Sequence, residues 1–326
     1  MNLEQLDWDQ EALHLAGITV EQLSRLVPTT YKMEGLEKDY AVAMGLSEAT
    51  PFIIGAADGV LSNLGVNAIQ PGVVAVTIGT SGAIRTVIDQ PVTDPQGRTF
   101  CYALTERHWV IGGAVNNGGM LLRWVRDEWA ASEVETAKQQ GVDVYDVLTE
   151  MAGAIRAGSD GLLFHPYLTG ERAPLWNPDA RGSFFGLTMR HGKAHLIRSV
   201  MEGVIFNLYA VLLAMEGQMG QPVQLLATGG FARSPLWRQI MRIFSARRLL
   251  CRRASRAPVW AQSYSGCMQQ AEWIHWMQYR GWSALQMSII LTLSMRRCTV
   301  SFCQSICSFR TSWRMNTVQL PLFSVN

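Results

Sequence analysis

Hydrophobic and polar positions follow two periods along the chain as far as residue 244. Short β-branched runs predict strands, and longer stretches with apolar residues three or four positions apart predict helices. Strands are predicted at 51–57, 73–78, 83–88, 99–104, 108–111 and 223–227. Helices are predicted at 9–15, 19–26, 59–67, 120–131, 142–157, 193–217 and 234–244. This alternation predicts an α/β fold.

The strands 73–78 and 83–88 are separated by Gly79-Thr80-Ser81-Gly82, which predicts a hairpin with a polar tip. Small residues allow backbone N–H groups to approach phosphate oxygens, but any tight hairpin also favours glycine. Thr228-Gly229-Gly230, ahead of a predicted helix, allows the same two interpretations. The Walker pattern of P-loop kinases does not occur.

Asp58 follows the apolar run 51–57, which we interpret as a buried strand. Ligands of α/β sheets gather at the carboxyl ends of strands, where a carboxylate can accept a proton from a substrate hydroxyl. Asp58 is also a suitable cap for the helix that follows, and position alone favours the cap.

Two further features have both functional and structural interpretations. The polar loop 170–182 is either a functional loop or a packed loop ordered by Trp176 and its prolines. His195 lies on a predicted helix and is interpreted as structural. The sequence supports neither a catalytic triad nor a metal cage.

The composition is that of a globular protein with a buried core, since 48% of residues are hydrophobic and 17% are charged. No run of eighteen apolar residues occurs, and the N-terminus lacks a signal-peptide apolar region. These features predict a cytoplasmic protein without a membrane partner.

The segment 245–326 differs sharply from the rest. It holds ten arginines, no lysine, one acidic residue (Glu272) and five of the six cysteines. A basic segment can bind nucleic acid, but such arms normally mix lysine with arginine and are poor in cysteine. The cysteine spacings fit neither a zinc ribbon nor a redox pair. We therefore expect a non-native, poorly packed tail, as translation in a shifted frame produces, and no nucleic-acid partner.

Several motifs together resemble the FGGY family of carbohydrate kinases, within the actin-like ATPase superfamily. Residues 182–202 are similar to the second signature region of that family. The segments 58–67, 77–85 and 227–233 are most similar to members that phosphorylate gluconate. The resemblance extends from about residue 2 to Phe244.

The resemblance implies an actin-like (ribonuclease H-like) α/β domain, a mixed sheet with flanking helices. It also implies transfer of the γ-phosphoryl group of ATP, with Mg²⁺, to a sugar-acid hydroxyl, converting gluconate to 6-phosphogluconate. It assigns no protein metal ligand. Asp58 matches the general base of the family, and the nucleotide-binding positions match Gly79, Thr80, Gly119, Gly230 and Ser234.

The resemblance also predicts how the chain is divided. Residues 1–70 correspond to the end of the family's N-terminal domain, 71–244 to an incomplete C-terminal domain that binds nucleotide, and 245–326 to the aberrant tail. The Asp-x-Gly-Thr/Ser phosphate hairpin of the family is absent from 1–57. We therefore expect weak activity, and a silent remnant that at most binds nucleotide is the alternative. The exact sugar and a homodimer remain open.

Overall fold

The computed structural model describes residues 1–245 and 248–251. The helices are α1 (Gln10–Ala16), α2 (Lys38–Met44), α3 (Asp58–Gly65), α4 (Met120–Trp129), α5 (Ala131–Gln140), α6 (Val144–Gly153), α7 (Lys193–Met219) and α8 (Pro235–Ser245). The strands are β1 (Lys32–Met33), β2 (Phe52–Ile53), β3 (Val73–Ile78), β4 (Gly82–Ile88), β5 (Phe100–Thr105), β6 (His108–Val115), β7 (Leu163–His165), β8 (Ser183–Phe185), β9 (Gln224–Gly229) and β10 (Arg248–Cys251).

Six strands form one mixed sheet in the order β10-β9-β3-β4-β6-β5. Strands β10, β9 and β3 are parallel, whereas β3, β4, β6 and β5 are antiparallel neighbours. Flanking helices complete the α/β fold, which confirms the predicted mixed sheet and the hairpin formed by β3 and β4.

The main core lies between one face of this sheet and the helices α4, α6, α7 and α8. Alternate residues of β3, Val74, Val76 and Ile78, point to this face. They pack with apolar residues along α7, including Val204 and Leu208. The alternation of β3 follows from the two-residue period of a strand.

Helix α7 is the central helix of this core. Its 27 residues are long and apolar enough to cross a membrane by length and composition, but 72% of the apolar window is buried inside the fold. A Cβ atom at Gly203 would lie 2.5 Å from the carbonyl oxygen of Phe164, so glycine lets α7 approach β7 closely. These contacts are those of a core helix.

The opposite face of the sheet is covered by α3 and the segment after it. Val60 of α3 packs with Val87, Leu104 and Val110, and a second cluster joins Val66 and Ala68 to Ala75 and Leu226. Residues from Gly55 onward therefore belong to the same compact unit as the sheet, together with Met1–Thr30. The boundary at residue 70, which follows from the family resemblance, stays a prediction.

Residues Tyr31–Ile54 belong to a second compact unit. Its described part contains α2 and the short antiparallel pair of β1 and β2, with Lys32 opposite Ile53.

Two predicted elements in the first 60 residues are much shorter than expected. The buried strand predicted at 51–57 is reduced to Phe52–Ile53, both half-buried, with Ile54 48% exposed. The strand does not continue through Gly55, which has a φ of +71°, a value that ends regular strand geometry. The helix predicted at 19–26 is only a 3₁₀ turn over Val20–Gln22, with no buried residue to hold a longer helix against the fold.

Helix α6 is shorter than predicted, and some short elements, among them α5 and β8, were not predicted. The helix predicted at 142–157 begins at Val144, after its cap Asp143, and ends at Gly153. Helix α5 precedes it and buries only Ala137, so its sequence carries little amphipathic signal. Strand β8 is three residues long and, in the part of the chain that the structure describes, pairs with β7 alone.

The sheet continues beyond the predicted boundary at Phe244. Helix α8 ends at Ser245, and β10 pairs in parallel with β9, with Leu249 packed against the main core. These few residues are paired and packed, but they are a small part of the segment 245–326, so the expectation of a poorly packed tail stays a prediction. The remainder of the predicted tail, 252–326, lies outside the described residues.

Candidate functional site

A cavity of about 580 Å³ opens where β3 and β9 end. Its walls come from the tip of the β3–β4 hairpin, the starts of α4 and α8, and α6. Five residues predicted as nucleotide contacts line it together: Gly79, Thr80, Gly119, Gly230 and Ser234. The volume lies within the range of small-molecule sites, and the position at the carboxyl ends of parallel strands is typical of α/β folds.

The hairpin tip is joined to the start of α4 by two backbone hydrogen bonds. Gly119 N donates to Gly79 O at 2.7 Å, and Met120 N donates to Thr80 O at 3.1 Å. A Cβ atom at Gly118 would lie 2.5 Å from Ser81 O, and one at Gly119 would lie 2.7 Å from Gly79 O. The two glycines therefore allow this contact, and the positive end of the α4 dipole lies at the hairpin.

The turn after β9 forms the other side of the cavity. Gly229 has a φ of +88° and lies against β3, where a Cβ atom would be 2.4 Å from Ile78 O. Gly230 has open space in front of its Cα atom. Ser234 Oγ accepts a hydrogen bond from Trp237 N at 3.4 Å, so Ser234 also caps α8. At Gly230 the turn thus presents backbone without a side chain to the cavity.

The cavity has charged and aromatic walls. Arg123 and Arg233 are exposed and form no ion pair with any residue that the structure describes. Two carboxylates, Asp143 and Asp146, also line the cavity, and Asp143 caps α6 by accepting from Tyr145 N at 2.9 Å. Trp237 contributes an aromatic surface. The aromatic surface of Trp237 suits a ring in a ligand, and the two arginines suit a negatively charged group on it.

Asp58 does not line this cavity. It lies in the first turn of α3, on the sheet face opposite α7, and is exposed. Its Oδ1 accepts a hydrogen bond from the neighbouring Gly59 N at 2.6 Å, which leaves the other carboxylate oxygen available. The structure therefore brings five of the six predicted residues together and leaves Asp58 apart from them.

Arg85 is a charged residue near Asp58, and it is not among the six residues predicted for the site. It projects from β4, in the middle of the sheet, toward α3. Its guanidinium lies against Gly59, where a Cβ atom would be 3.3 Å from Nη2, and Nη1 donates to Ser62 Oγ at 3.3 Å. Burial lowers the pKa of Arg85, while the negative charge of Asp58 opposes this shift. A half-buried cation in a central strand was the signal available in the sequence.

The loop 170–182 is ordered around a buried carboxylate. Glu171 is only 2% exposed, and its oxygens accept hydrogen bonds from Asn116 N at 2.6 Å and from Asn207 Nδ2 at 2.7 Å. Trp176 is 50% exposed. These contacts fix the loop to the end of β6 and to α7, which favours the packed-loop interpretation, with Glu171 rather than Trp176 as its centre.

His195 has structural contacts. Its Nδ1 accepts from Gly192 N at 3.2 Å, and its Nε2 lies 3.3 Å from Asp160 Oδ2. Both ring nitrogens are thus used at the start of α7. Among the described residues, no group of three or more potential metal-ligating side chains occurs.

Comparison with known proteins identifies the family. The model for the C-terminal domain of the FGGY family of carbohydrate kinases matches residues 74–241, and the model for its N-terminal domain matches residues 1–65. The gluconokinase of Bacillus subtilis (strain 168) is 66% identical over 242 residues, which are 74% of this chain and 47% of the relative. The xylulose kinase of Escherichia coli (strain K12) is 28% identical over 251 residues, 76% of this chain and 49% of the relative.

A solved structure supports the same assignment. The gluconate kinase of Lactobacillus acidophilus is 38% identical, with a TM-score of 0.76 over 82% of this chain and 53% of that protein. The chain spans about half the length of the curated relatives it matches. Because the C-terminal domain model alone matches more than half of the chain, this protein belongs to the FGGY family of carbohydrate kinases.

Proposed function

We propose that this chain carries the nucleotide-binding part of a sugar-acid kinase, which transfers the γ-phosphoryl group of MgATP to a hydroxyl of gluconate. The observation that supports this proposal best is that five residues chosen from short, separate motifs line one cavity. The gluconokinase and gluconate kinase relatives support gluconate as the acceptor.

In this proposal the cavity binds adenosine and the hairpin tip binds the phosphates. Thr80 and Ser81 are exposed, and their hydroxyls form no hydrogen bond with a described residue, so they are free to donate to phosphate oxygens. Arg123 and Arg233 add positive charge, which lowers the energy of a phosphoryl group in transfer.

Asp58 is proposed as the general base. Its exposed carboxylate can accept the proton of the acceptor hydroxyl as the oxygen attacks phosphorus. Arg85, which neighbours α3, lies three residues along β4 from Gly82 at the hairpin, about 10 Å at the rise of a strand. The phosphates would therefore extend from the hairpin tip toward Asp58, on the opposite face of the sheet from the adenosine.

Mg²⁺ is treated as part of the MgATP substrate. Magnesium usually keeps several waters and binds one or two carboxylates together with substrate phosphates, so a site without a protein cage is compatible with it. The described residues contain no such cage, and we assign no metal ligand.

A second candidate is nucleotide binding without transfer. The position of Asp58 outside the cavity favours it, because a bound nucleotide does not require that residue. The two candidates share the same cavity and differ only in whether Asp58 takes part.

The test is turnover of gluconate by the full chain, measured as ADP release and compared with Asp58→Asn. The variant is expected to lose about 10²- to 10⁴-fold in kcat, the usual contribution of a general base, with ATP affinity unchanged. Asp179→Asn is a suitable control because the Asp179 side chain is 89% exposed.

Three results separate the candidates. Gluconate turnover that Asp58→Asn abolishes supports the kinase with its base. ATP binding without turnover supports the silent protein. Equal turnover by wild type and Asp58→Asn removes Asp58 from the mechanism.

A further inference from the structure

Arg85 lies near the proposed base Asp58, whose negative charge acts on it, but it forms no close ion pair with any described residue. The ion pairs among the described residues do not include Arg85. Its one hydrogen bond to a described residue goes to Ser62 Oγ, at a long 3.3 Å. A guanidinium has five N–H donors, so most of the donors of Arg85 remain available to a ligand.

The surrounding structure makes room for this side chain. Gly112 is opposite Arg85 in the β4–β6 pairing, and a Cβ atom there would lie 3.0 Å from Arg85 Cγ. Gly59 leaves the same kind of space at the guanidinium, where a Cβ atom would be 3.3 Å from Nη2. Two glycines from different elements therefore shape a slot for one arginine.

This slot is expected to lower the stability of the folded protein unless a bound ligand compensates for the buried charge. Partly burying a cation without an ion pair costs free energy, and an apolar residue at the centre of a sheet would avoid that cost. Arg172 adds a second positive charge that acts on Arg85. With Asp58 as the main acidic group acting on Arg85, the local charge is positive and suits an anionic substrate.

We propose that Arg85 determines specificity for sugar acids by binding the carboxylate of the substrate, while Asp58 faces the hydroxyl that is phosphorylated. The guanidinium fork matches a carboxylate in a bidentate geometry, which a neutral polyol cannot provide. This assignment rests on the proposed function and adds to it the residue that distinguishes an acid from a neutral sugar.

The test compares gluconate with glucitol, a neutral polyol of the same length, by calorimetric binding and by ADP release. Wild type is expected to prefer gluconate, and Arg85→Gln is expected to reduce that preference by about 10- to 100-fold, the usual effect of hydrogen bonds to a charged group. Arg85→Lys, which keeps the charge but not the fork, is expected to fall between them.

Arg107→Gln is the matched control, since Arg107 is exposed at the β5–β6 turn. Arg85→Met supplies a readout independent of turnover. Without ligand its thermal midpoint is expected to equal or exceed that of wild type, and the rise that gluconate causes in wild type is expected to be lost.

The outcomes separate the two proposals. If wild type phosphorylates gluconate but Arg85→Gln keeps the full preference for the acid, the assignment of Arg85 is overturned and the kinase stands. If Arg85→Gln lowers turnover of gluconate and glucitol equally and weakens ATP binding, Arg85 contacts the phosphates of ATP rather than the substrate carboxylate. This result also overturns the assignment. If wild type binds ATP but shows no preference for gluconate over glucitol, both the acid specificity and the role assigned to Arg85 are overturned.

Discussion

Asp94 and Arg98 form a two-point ion pair in the loop before β5. Arg98 Nε donates to Asp94 Oδ2 and Nη2 donates to Oδ1, both at 2.8 Å, and the backbone N of Arg98 also donates to Oδ2 at 2.8 Å. These hydrogen bonds to Arg98 lower the pKa of Asp94 to about 2. The carboxylate therefore favours the folded state only while it is ionised.

This pair predicts a specific acid dependence of stability. Because the folded pKa of Asp94 lies below its unfolded value near 3.8, its stabilisation is complete above about pH 4 and is lost as the pH falls toward 2. Asp94→Asn is expected to cost roughly 1–2 kcal/mol at pH 7, discounted because Arg98 is about a third exposed, and much less at pH 2.

Urea unfolding from pH 7 to pH 2 measures this difference. Asp179→Asn, at an exposed side chain, is the control and is expected to follow wild type. An equal penalty for Asp94→Asn at both ends of the range would contradict the assignment.

At the residue scale, the sequence predicted the positions of residues that lie in short turn motifs, while their role in nucleotide binding stays a prediction. Gly79, Thr80 and Gly230 lie in turns between strongly patterned elements, so their placement follows from local sequence. Arg85 ends the segment 77–85, and its charge stands out in a predicted strand, but its slot depends on Gly59 and Gly112, which only the pairing of distant elements brings to it. No local pattern shows which distant residues such a side chain will contact.

At the scale of elements, the contact between the hairpin tip and α4 is the feature that shapes the cavity. It depends on Gly118, whose missing side chain leaves space for the Ser81 backbone. The sequence predicted the hairpin and the helix separately, and predicted Gly119 as a nucleotide contact. The structure adds that the glycines at 118 and 119 let these elements touch.

Gly118→Ala is therefore expected to destabilise the fold by about 1–3 kcal/mol, because its Cβ atom would overlap backbone that cannot move freely. It is also expected to weaken ATP binding, since the hairpin tip must shift. Thermal unfolding and calorimetric titration with ATP measure the two effects.

Gly153→Ala is the matched control. Gly153 ends α6 with helical geometry and no atom within 4 Å of a Cβ position, so alanine there is expected to stabilise by about 0.5 kcal/mol. A fully stable Gly118→Ala protein with normal ATP affinity would show that the close approach is not required.

At the scale of the molecule, α7 organises the unit that contains the sheet. Leu208 is fully buried and lies beneath the start of β4, where a Cβ atom at Gly82 would be 3.3 Å from its Cδ2. On the same helix, Leu213 is 50% exposed. The two leucines share a helix and a chemistry but differ in burial.

Leu208→Ala is expected to cost about 2–5 kcal/mol, the range for removing a buried leucine, because the cavity left behind cannot fully collapse. Leu213→Ala is expected to change the free energy of unfolding by less than about 0.5 kcal/mol. Denaturant unfolding followed by tryptophan fluorescence compares the pair. Equal losses would mean that α7 does not bury one side as described.

The sequence by itself determined the α/β class, the hairpin, the longest helix and the glycine-bearing turns. These depend on periodicity and turn chemistry, which act over a few residues. It did not predict the limited extent of β2, the continuation of the sheet into β10, or the contacts that hold Glu171. Those depend on partners far away in the chain.

Tertiary structure alone decided which candidates share a site. It brought the five residues that were predicted to bind nucleotide to one cavity and placed Asp58 on the other face of the sheet, beside Arg85. Strand order and helix placement set these distances, because long-range packing, unlike periodicity, is not encoded in any single segment.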